Sequence, residues 1–379
     1  MEYINLKVQY QDMREEINAA VLRCMSNADF IMGDAVNDFE SRLAEYVGVK
    51  YAVSCGSGTD ALQMIYMLHG IGAGDAVFCP AMTFIASVEP ACLLGATPIF
   101  CDIDHQSYNI LPESLERQIQ NVMAEGRLNP KAVVAVDFLG NPADYDNIRK
   151  ITKKYGLLLI EDAAQSMGAV YKGKKCGSLG DIAATSFFPS KPLGAYGDGG
   201  AVFTDDAATA EILKSLRTHG KGKSKYDNVR VGLNSRLDTI QAEILKVKLE
   251  YLEMEIEKRQ GIAEFYFQKL DKSVKTPFVN RSALSSFAQF VICMRDHEER
   301  DRLRDYLKKN EIPTIIYYPN PLHLLPVFCE MDRYGEDLSN AERYAKTNLG
   351  IPFSPYISEV EQTRVMEVVN KFFQEEEAL

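Results

Sequence analysis

Three short stretches carry side chains that do chemistry, in settings that ordinary packing does not demand. The first is Cys55-Gly56-Ser57-Gly58-Thr59-Asp60-Ala61, a glycine-containing turn running into a helical pattern. Free N–H groups and the dipole at such a helix start favour a phosphate. The glycine spacing matches neither the P-loop nor the dinucleotide fingerprint, so the segment reads either as a tight strand-to-helix turn or as another kind of phosphate cradle. The second is Ile160-Glu161-Asp162-Ala163-Ala164-Gln165-Ser166, where two carboxylates close a strongly apolar run. On a strand they point to opposite faces, so at most one serves a given site; the other reading is an N-cap for a following helix. A carboxylate buried there needs a cationic or hydrogen-bonding partner. The third is Ser186-Phe187-Phe188-Pro189-Ser190-Lys191-Pro192-Leu193-Gly194, with Gly197, Gly199 and Gly200 close behind. A lysine bracketed by prolines and followed by glycines sits on a constrained loop that presents one amine.

The elements that must position these groups follow from the hydrophobic rhythm. Short apolar runs fall at 51–55, 76–79, 98–102, 132–137 and 157–162, and further strands are expected at 183–188 and 201–204. Helical stretches lie between them near 59–70, 83–94, 112–125 and 144–155. Strand and helix alternating at this spacing imply right-handed crossovers and an α/β fold with a mostly parallel sheet covered on both faces. In such a sheet, ligands collect at the carboxyl ends of the strands, which is where the three stretches stand. Two amphipathic helices precede the sheet, the first over roughly 11–27. A long helical stretch over 236–271 leads to a smaller α+β segment containing 287–294, a helix over 297–310 and a strand at 314–318. The expected division is a large α/β domain over 1–240 and a connecting helix with a small C-terminal domain over 241–379.

The chain has 379 residues, 42 of them Lys or Arg and 53 Asp or Glu, for a net charge of −11. That balance speaks against non-specific nucleic-acid or anionic-membrane binding. No apolar run approaches the ~20 residues of a membrane span, and the first residues lack the layout of a secretion signal, so a cytoplasmic location is expected. Of the eight cysteines no two fall at C-x-x-C spacing, and the five histidines are scattered, so no metal site is expected. Cys55, Cys79 and Cys101 read as small buried hydrophobes of a reducing compartment.

Taken together, the three strand ends offer a phosphate cradle, a carboxylate and a positioned amine. Pyridoxal 5′-phosphate needs all three: a phosphate anchor, a carboxylate for its protonated ring nitrogen, and a lysine for its aldehyde. Phe84, at another strand end, reads as core packing or as a group that stacks on the ring.

The combination of SGTDAL (57–62), PAMTFIAS (80–87), IEDAAQS (160–166), SFFPSKPLGAYGDGGAV (186–202) and VGLNSRLDTIQA (231–242) resembles the DegT-type sugar aminotransferases. The likeness covers nearly the whole chain, with the motifs in the family's order. It implies the fold-type-I architecture of pyridoxal-phosphate transferases. It also implies Lys191 as the Schiff-base lysine, Asp162 as partner of the ring nitrogen and Gln165 at the phenolic oxygen. Gly58, Thr59 and Ser186 would hold the phosphate and Phe84 would cover the ring. Asn234 would reach the phosphate of a neighbouring subunit, so a homodimer with shared sites is expected. Asp137-Phe138-Leu139-Gly140 stands where many members read His-Leu-Tyr-Gly. Relatives that have become dehydratases carry histidine in place of the lysine, and Lys191 argues against that chemistry.

For the substrates, the resemblance implies L-glutamate as donor and a UDP-linked keto sugar as acceptor, feeding a bacterial surface polysaccharide. SFFPSKPLG and VGLNSRLDT look most like the branch acting on UDP-2-acetamido-2-deoxy-3-oxo-glucuronate, where the arginine matching Arg236 meets the sugar carboxylate. A structural salt bridge is the other reading of Arg236. Tyr317, Tyr318 and His323 resemble the family's C-terminal substrate segment, with Tyr317 where a histidine is usual. Lys214, Arg217, Lys221, Lys223, Lys225 and Arg230 read as a mobile basic loop or as plain solvated charge. Two rivals stand beside this reading: a neutral 3-oxo or 4-oxo nucleotide hexose as substrate, and a non-catalytic regulatory or scaffold relative. The intact Lys191, Asp162 and Gln165 speak against the second.

Overall fold

The computed structural model describes residues 1–224 and 226–377. Its first nine strands are β1 (Tyr51–Cys55), β2 (Asp75–Pro80), β3 (Thr97–Cys101), β4 (Asn129–Val136), β5 (Leu158–Asp162), β6 (Val170–Tyr171), β7 (Lys174–Lys175), β8 (Ile182–Ser186) and β9 (Gly200–Thr204). All but the two-residue β6 and β7 join one seven-stranded sheet in the order β1-β9-β8-β5-β4-β2-β3. Strand β9 runs antiparallel to both neighbours, and the other pairs are parallel. The carboxyl ends of β1, β2, β4, β5 and β8 therefore share one edge, with the start of β9 beside them.

Alternation along each strand sorts side chains between two cores. Val77, Cys79, Val134, Val136 and Ile160 pack on one face, while Ala76, Phe78, Val133, Ala135 and Leu159 pack on the other. Carried two residues past Leu159 and Ile160, the same rule puts Glu161 and Asp162 on opposite faces. Cys55, Cys79 and Cys101 are buried in these cores, as expected of small hydrophobes.

The 31-residue helix Thr239–Lys269 spans two environments. Ala242, Leu245, Leu249, Leu252 and Ile256 pack with residues of the sheet layer and the helix Asp34–Val47. Ile262, Ala263, Tyr266 and Leu270 instead join a cluster with β11 (Phe290–Cys293) and β12 (Asn348–Ile351), an antiparallel pair. The short β10 (Ala283–Leu284) pairs with β6. Among the described residues, no helix is long and apolar enough to cross a membrane.

Three expected elements differ. The first helix is split into Leu6–Asp12 and Arg14–Asn27, with fully buried Met13 at the break, packed against Ile17 and Ile244. The stretch 83–94 becomes a short turn at Ile85–Ser87 and a helix at Glu89–Leu93, because Pro90 cannot continue a helix begun before it. Residues 314–318 make no strand: one isolated bridge joins Ile315 to Gly350, and prolines 313 and 319 close off the run on either side. The final helix is Glu359–Glu377.

One buried ion pair ties this frame to the functional edge. Glu40 and Arg217 are both buried and paired with each other. Glu40 accepts from Ser54 N at 2.8 Å and Ser54 Oγ at 2.6 Å, and Arg217 donates to the Ser54 carbonyl at 2.7 Å. The end of β1, immediately before the Gly56 turn, is thus held from two sides. Glu40→Ala leaves the Arg217 guanidinium buried without its carboxylate and is expected to cost about 3–5 kcal/mol. Urea unfolding at fixed protein concentration measures it; a loss within the ±0.5 kcal/mol range of surface substitutions would contradict this account.

Candidate active site

At the shared edge lies a cavity of about 400 Å³, lined by Gly58, Thr59, Phe84, Asp162, Gln165, Ser186, Lys191, Tyr317 and Tyr318, among others. Residues chosen from five separate stretches of sequence thus meet in one place.

One end of the cavity is the start of the helix Gly58–Leu68. Ser57 caps it by accepting from Asp60 N at 3.0 Å, which leaves the Gly58 and Thr59 amides without intrahelical partners. The helix start lies against Ser186 at the end of β8: a Cβ on Gly58 would come within 2.7 Å of Ser186 Cβ. Two backbone donors and the Ser186 hydroxyl therefore converge, with room preserved by the missing side chain. Of the two readings of this turn, the geometry favours the anion cradle.

Asp162 and Glu161 separate as alternation requires. Glu161 faces away and accepts backbone N–H groups from Gly177, Leu179 and Gly180. Asp162 faces the cavity at 6% exposure, and no helix follows for it to cap. Burial pushes its carboxyl above the usual range, opposed by a hydrogen bond from Ser87 Oγ at 2.7 Å. Among the described residues it has no salt-bridge partner; the cation whose charge acts on it is Lys191. Gln165 Oε1 accepts from Leu139 N at 2.7 Å, so its Nε2 is left as a donor toward Tyr318. Leu139 holds a left-handed backbone with φ of 59°, an unusual conformation for a bulky residue and one that aims its N–H at Gln165.

The lysine loop closes on itself. Phe187 N donates to the Gly199 carbonyl at 2.8 Å, Ala195 N to Phe187 at 2.7 Å and Lys191 N to Phe188 at 2.9 Å. A Cβ on Gly194 would strike the Pro189 carbonyl, which explains that glycine. From behind, the buried Lys248 donates to the Gly194 carbonyl, and burial brings its amine down to about 8. Sequence offered no sign of this role, since Lys248 looks like any other lysine of a charged helix. Lys191 itself is half-buried on the cavity wall, and desolvation lowers its pKa from the ordinary lysine value.

Phe84 is 54% exposed at the cavity mouth, which excludes the core-packing reading. Its ring centroid lies 5.9 Å from that of Tyr318, which also approaches Phe138 at 6.1 Å.

Three chosen residues do not line the cavity of the single chain. Asn234 is exposed and Arg236 half-buried, on a loop docked to the helix start through Ser235, which donates to Asp60 at 2.7 Å and accepts from Gly56 N at 2.9 Å. Arg236 precedes the long helix instead of opening it, and it forms no ion pair among the described residues. His323 does not line the cavity either. It is buried, its Nε2 lies 3.1 Å from Glu342 and its imidazole pKa is lowered by burial. Asp137 is likewise turned away, accepting from Ala143 N, Tyr145 Oη and Ser166 Oγ, with its carboxyl pushed up to about 6 by burial.

The basic stretch is not an open loop either. Arg217 is buried, Lys214 pairs with Glu211, and backbone bonds such as Val229 N to Gly220 at 2.9 Å close the segment on itself. Lys225 lies outside the described residues. Thr83, Ser87 and Gln289 also line the cavity, and none was singled out by its own chemistry in the sequence.

A mostly parallel α/β sheet with a lysine and a buried carboxylate at its carboxyl edge defines the class of pyridoxal-phosphate-dependent aminotransferases. The chain belongs to the DegT/DnrJ/EryC1/StrS aminotransferase family, whose model matches residues 11–370. It is 41% identical over 358 residues to the UDP-2-acetamido-2-deoxy-3-oxo-D-glucuronate aminotransferase of Pseudomonas aeruginosa, covering 94% of this chain and 96% of that one. The crystal structure of a DegT DnrJ EryC1 StrS aminotransferase from Brucella abortus superimposes with a TM-score of 0.96 at 44% identity, covering 98% and 99% of the two chains. NtdA from Bacillus subtilis, solved with bound cofactor PMP, gives a TM-score of 0.87 at 28% identity, covering 96% of this chain and 82% of that one.

The depressed pKa of Lys191 has a direct consequence. Burial disfavours the ammonium, so at pH 8 a larger share of this amine is neutral than of an exposed lysine. Reductive methylation of the cofactor-free protein with formaldehyde is expected to modify Lys191 ahead of the exposed lysines at pH 8, with the preference fading as pH approaches 10.5. Peptide mass mapping reads the order; Lys191 reacting among the last would contradict the assignment.

Proposed function

We propose that this chain uses pyridoxal phosphate to move the amino group of L-glutamate onto C-3 of a UDP-linked 3-oxo sugar, with the 2-acetamido-3-oxo-glucuronate as the favoured acceptor. The observation that carries the reading is the meeting of Lys191, Asp162 and the Gly58–Thr59 helix start on one cavity. The residues present fit the cofactor: a cradle that a Cβ would fill, a buried carboxylate without a salt-bridge partner, and an amine of lowered pKa.

When bound, the cofactor supplies a conjugated ring that accepts the electron pair released at the substrate's Cα. Each side chain then has a task. Gly58 and Thr59 amides and the Ser186 hydroxyl hold the phosphate, while Asp162 stabilises a protonated ring nitrogen with charge already in place before reaction. Gln165 Nε2 would donate to the phenolic oxygen, and Phe84 would cover the ring. Lys191 Nζ would take up and hold the proton released from the substrate's Cα, a task suited to an amine whose neutral form burial favours. With the keto sugar in place of glutamate, the same amine would return a proton to the sugar carbon.

Support for a shared dimeric site comes from what the single chain leaves uncovered. Phe84 and Phe188 are 54% and 52% exposed at the cavity, and Asn234 is turned outward. Patches of this kind fit a second copy supplying Asn234 and Arg236 to its neighbour's site. The uronate part rests on Arg236, a half-buried guanidinium with no ion pair among the described residues, suited to bidentate contact with a carboxylate. Tyr317 and Tyr318 line the cavity and suit the sugar side, whereas His323 leaves that set. A cytoplasmic location and a place in surface-polysaccharide synthesis complete the proposal, and the free state of all eight cysteines agrees with a reducing compartment.

The loaded enzyme should lose its visible absorption on mixing with L-glutamate and release 2-oxoglutarate. Lys191→Ala is expected to abolish both turnover and that absorption, and retained transamination would refute the role of Lys191. For the acceptor, a panel of UDP- and dTDP-linked keto sugars should rank the UDP-3-oxo uronate first. Arg236→Ala should reduce its preference over the neutral sugar by at least about tenfold, the usual worth of a charge-assisted contact. An unchanged preference removes the uronate from the proposal and leaves a neutral 3-oxo or 4-oxo hexose.

A further inference from the structure

Asp162 is the last member of a buried chain of hydroxyl groups. Its Oδ2 accepts from Ser87 Oγ at 2.7 Å, and Ser87 Oγ lies 2.9 Å from Thr83 Oγ1. Ser87 has a single O–H, already given to the carboxylate, so the second bond has one direction: Thr83 donates and Ser87 accepts. The two residues are 2% and 3% exposed, and both line the cavity. Tyr66 fixes Ser87 from behind by donating to its carbonyl at 2.6 Å. The other carboxylate oxygen has only a longer bond, from Ala164 N at 3.2 Å. A serine in a helical turn ordinarily satisfies its hydroxyl on a nearby carbonyl. Here it reaches a carboxylate 75 residues away in sequence.

We propose that Ser87, oriented by Thr83, is a positioning residue that keeps the proton of the cofactor's ring nitrogen on the ring and off Asp162. The inference rests on the reading of the site given above. A ring N–H facing a carboxylate is one proton between two bases, and it stays on whichever holds it more tightly. A hydrogen bond donated to the carboxylate stabilises its charge and lowers its proton affinity; burial acts in the opposite sense. At Asp162, burial is severe and Ser87 supplies the shorter of its two donated bonds. Without that bond, the carboxylate takes the proton, the ring nitrogen is left neutral, and the ring accepts the electron pair from Cα less readily. Ser87 thus acts through Asp162, and Thr83 acts through Ser87.

The test uses the holoenzyme loaded with pyridoxal phosphate labelled with nitrogen-15 in the ring, read by the nitrogen-15 resonance and by the kinetics of the glutamate half-reaction. In the wild type the resonance should lie at the protonated-ring position. Ser87→Ala should move it toward the neutral-ring position and lower the half-reaction rate by about tenfold or more, with the apparent glutamate affinity changed by less than about threefold. Thr83→Val should move the resonance the same way by less, while Thr83→Ser, which keeps the hydroxyl, should hold the wild-type position. Should Ser87→Ala not accumulate as folded protein, the Thr83 pair carries the test. A folded Ser87→Ala holoenzyme with an unmoved resonance overturns the inference, even if it is slower, and leaves the reading of the site standing. A wild-type chain that takes up no pyridoxal phosphate overturns both.

Discussion

A carboxylate at the end of a buried strand must find something positive or proton-bearing, and this requirement organises the site. Asp162 stands where β5 leaves the sheet, at 6% exposure and with no salt-bridge partner among the described residues. Its neighbour Glu161 has the same chemistry but the opposite face, where three backbone N–H groups satisfy it. One residue of register therefore separates a structural carboxylate from one available to a ligand. The ligand proposed to answer it is a cationic ring nitrogen, and the lysine loop and helix start stand on the same sheet edge.

The frame behind that edge makes the placement rigid. Glu40 and Arg217 fix the end of β1, Leu139 fixes the Gln165 amide and Lys248 holds the back of the lysine loop. Each is a buried polar contact whose partner would otherwise be left unpaired, so the groups are locked by desolvation as much as by attraction. Glu40, Arg217, Leu139 and Lys248 themselves do not line the cavity.

The sheet was readable in the sequence because its strands are short apolar runs separated by helical stretches, and period-two alternation put Glu161 and Asp162 on opposite faces, although only the family resemblance pointed to Asp162. Lys191 stood out because prolines and glycines constrain its backbone. What escaped reading depended on distant partners. Arg217 looked like one of a run of surface cations until Glu40, 177 residues earlier, was seen to bury it. His323 is buried, with its Nε2 3.1 Å from Glu342, a partner its own stretch of sequence does not reveal. Ser87 and Lys248 carried no local sign, since a serine or lysine reveals its task only through the group it meets. The residues 314–318 had a strand's composition, but flanking prolines allow only a single bridge.

Whole-chain charge also proved a poor guide to the site. A net charge of −11 excludes indiscriminate binding of polyanions, yet the anion-holding groups proposed here are local: two amides at a helix start, a hydroxyl and Arg236. Cofactor seated at this edge should carry its aldehyde on Lys191. The most direct measurement is borohydride reduction of the chain after incubation with pyridoxal phosphate, followed by peptide mass mapping. The account predicts one adduct per chain, on the peptide carrying Lys191. An adduct spread over surface lysines, or none at Lys191, would contradict it.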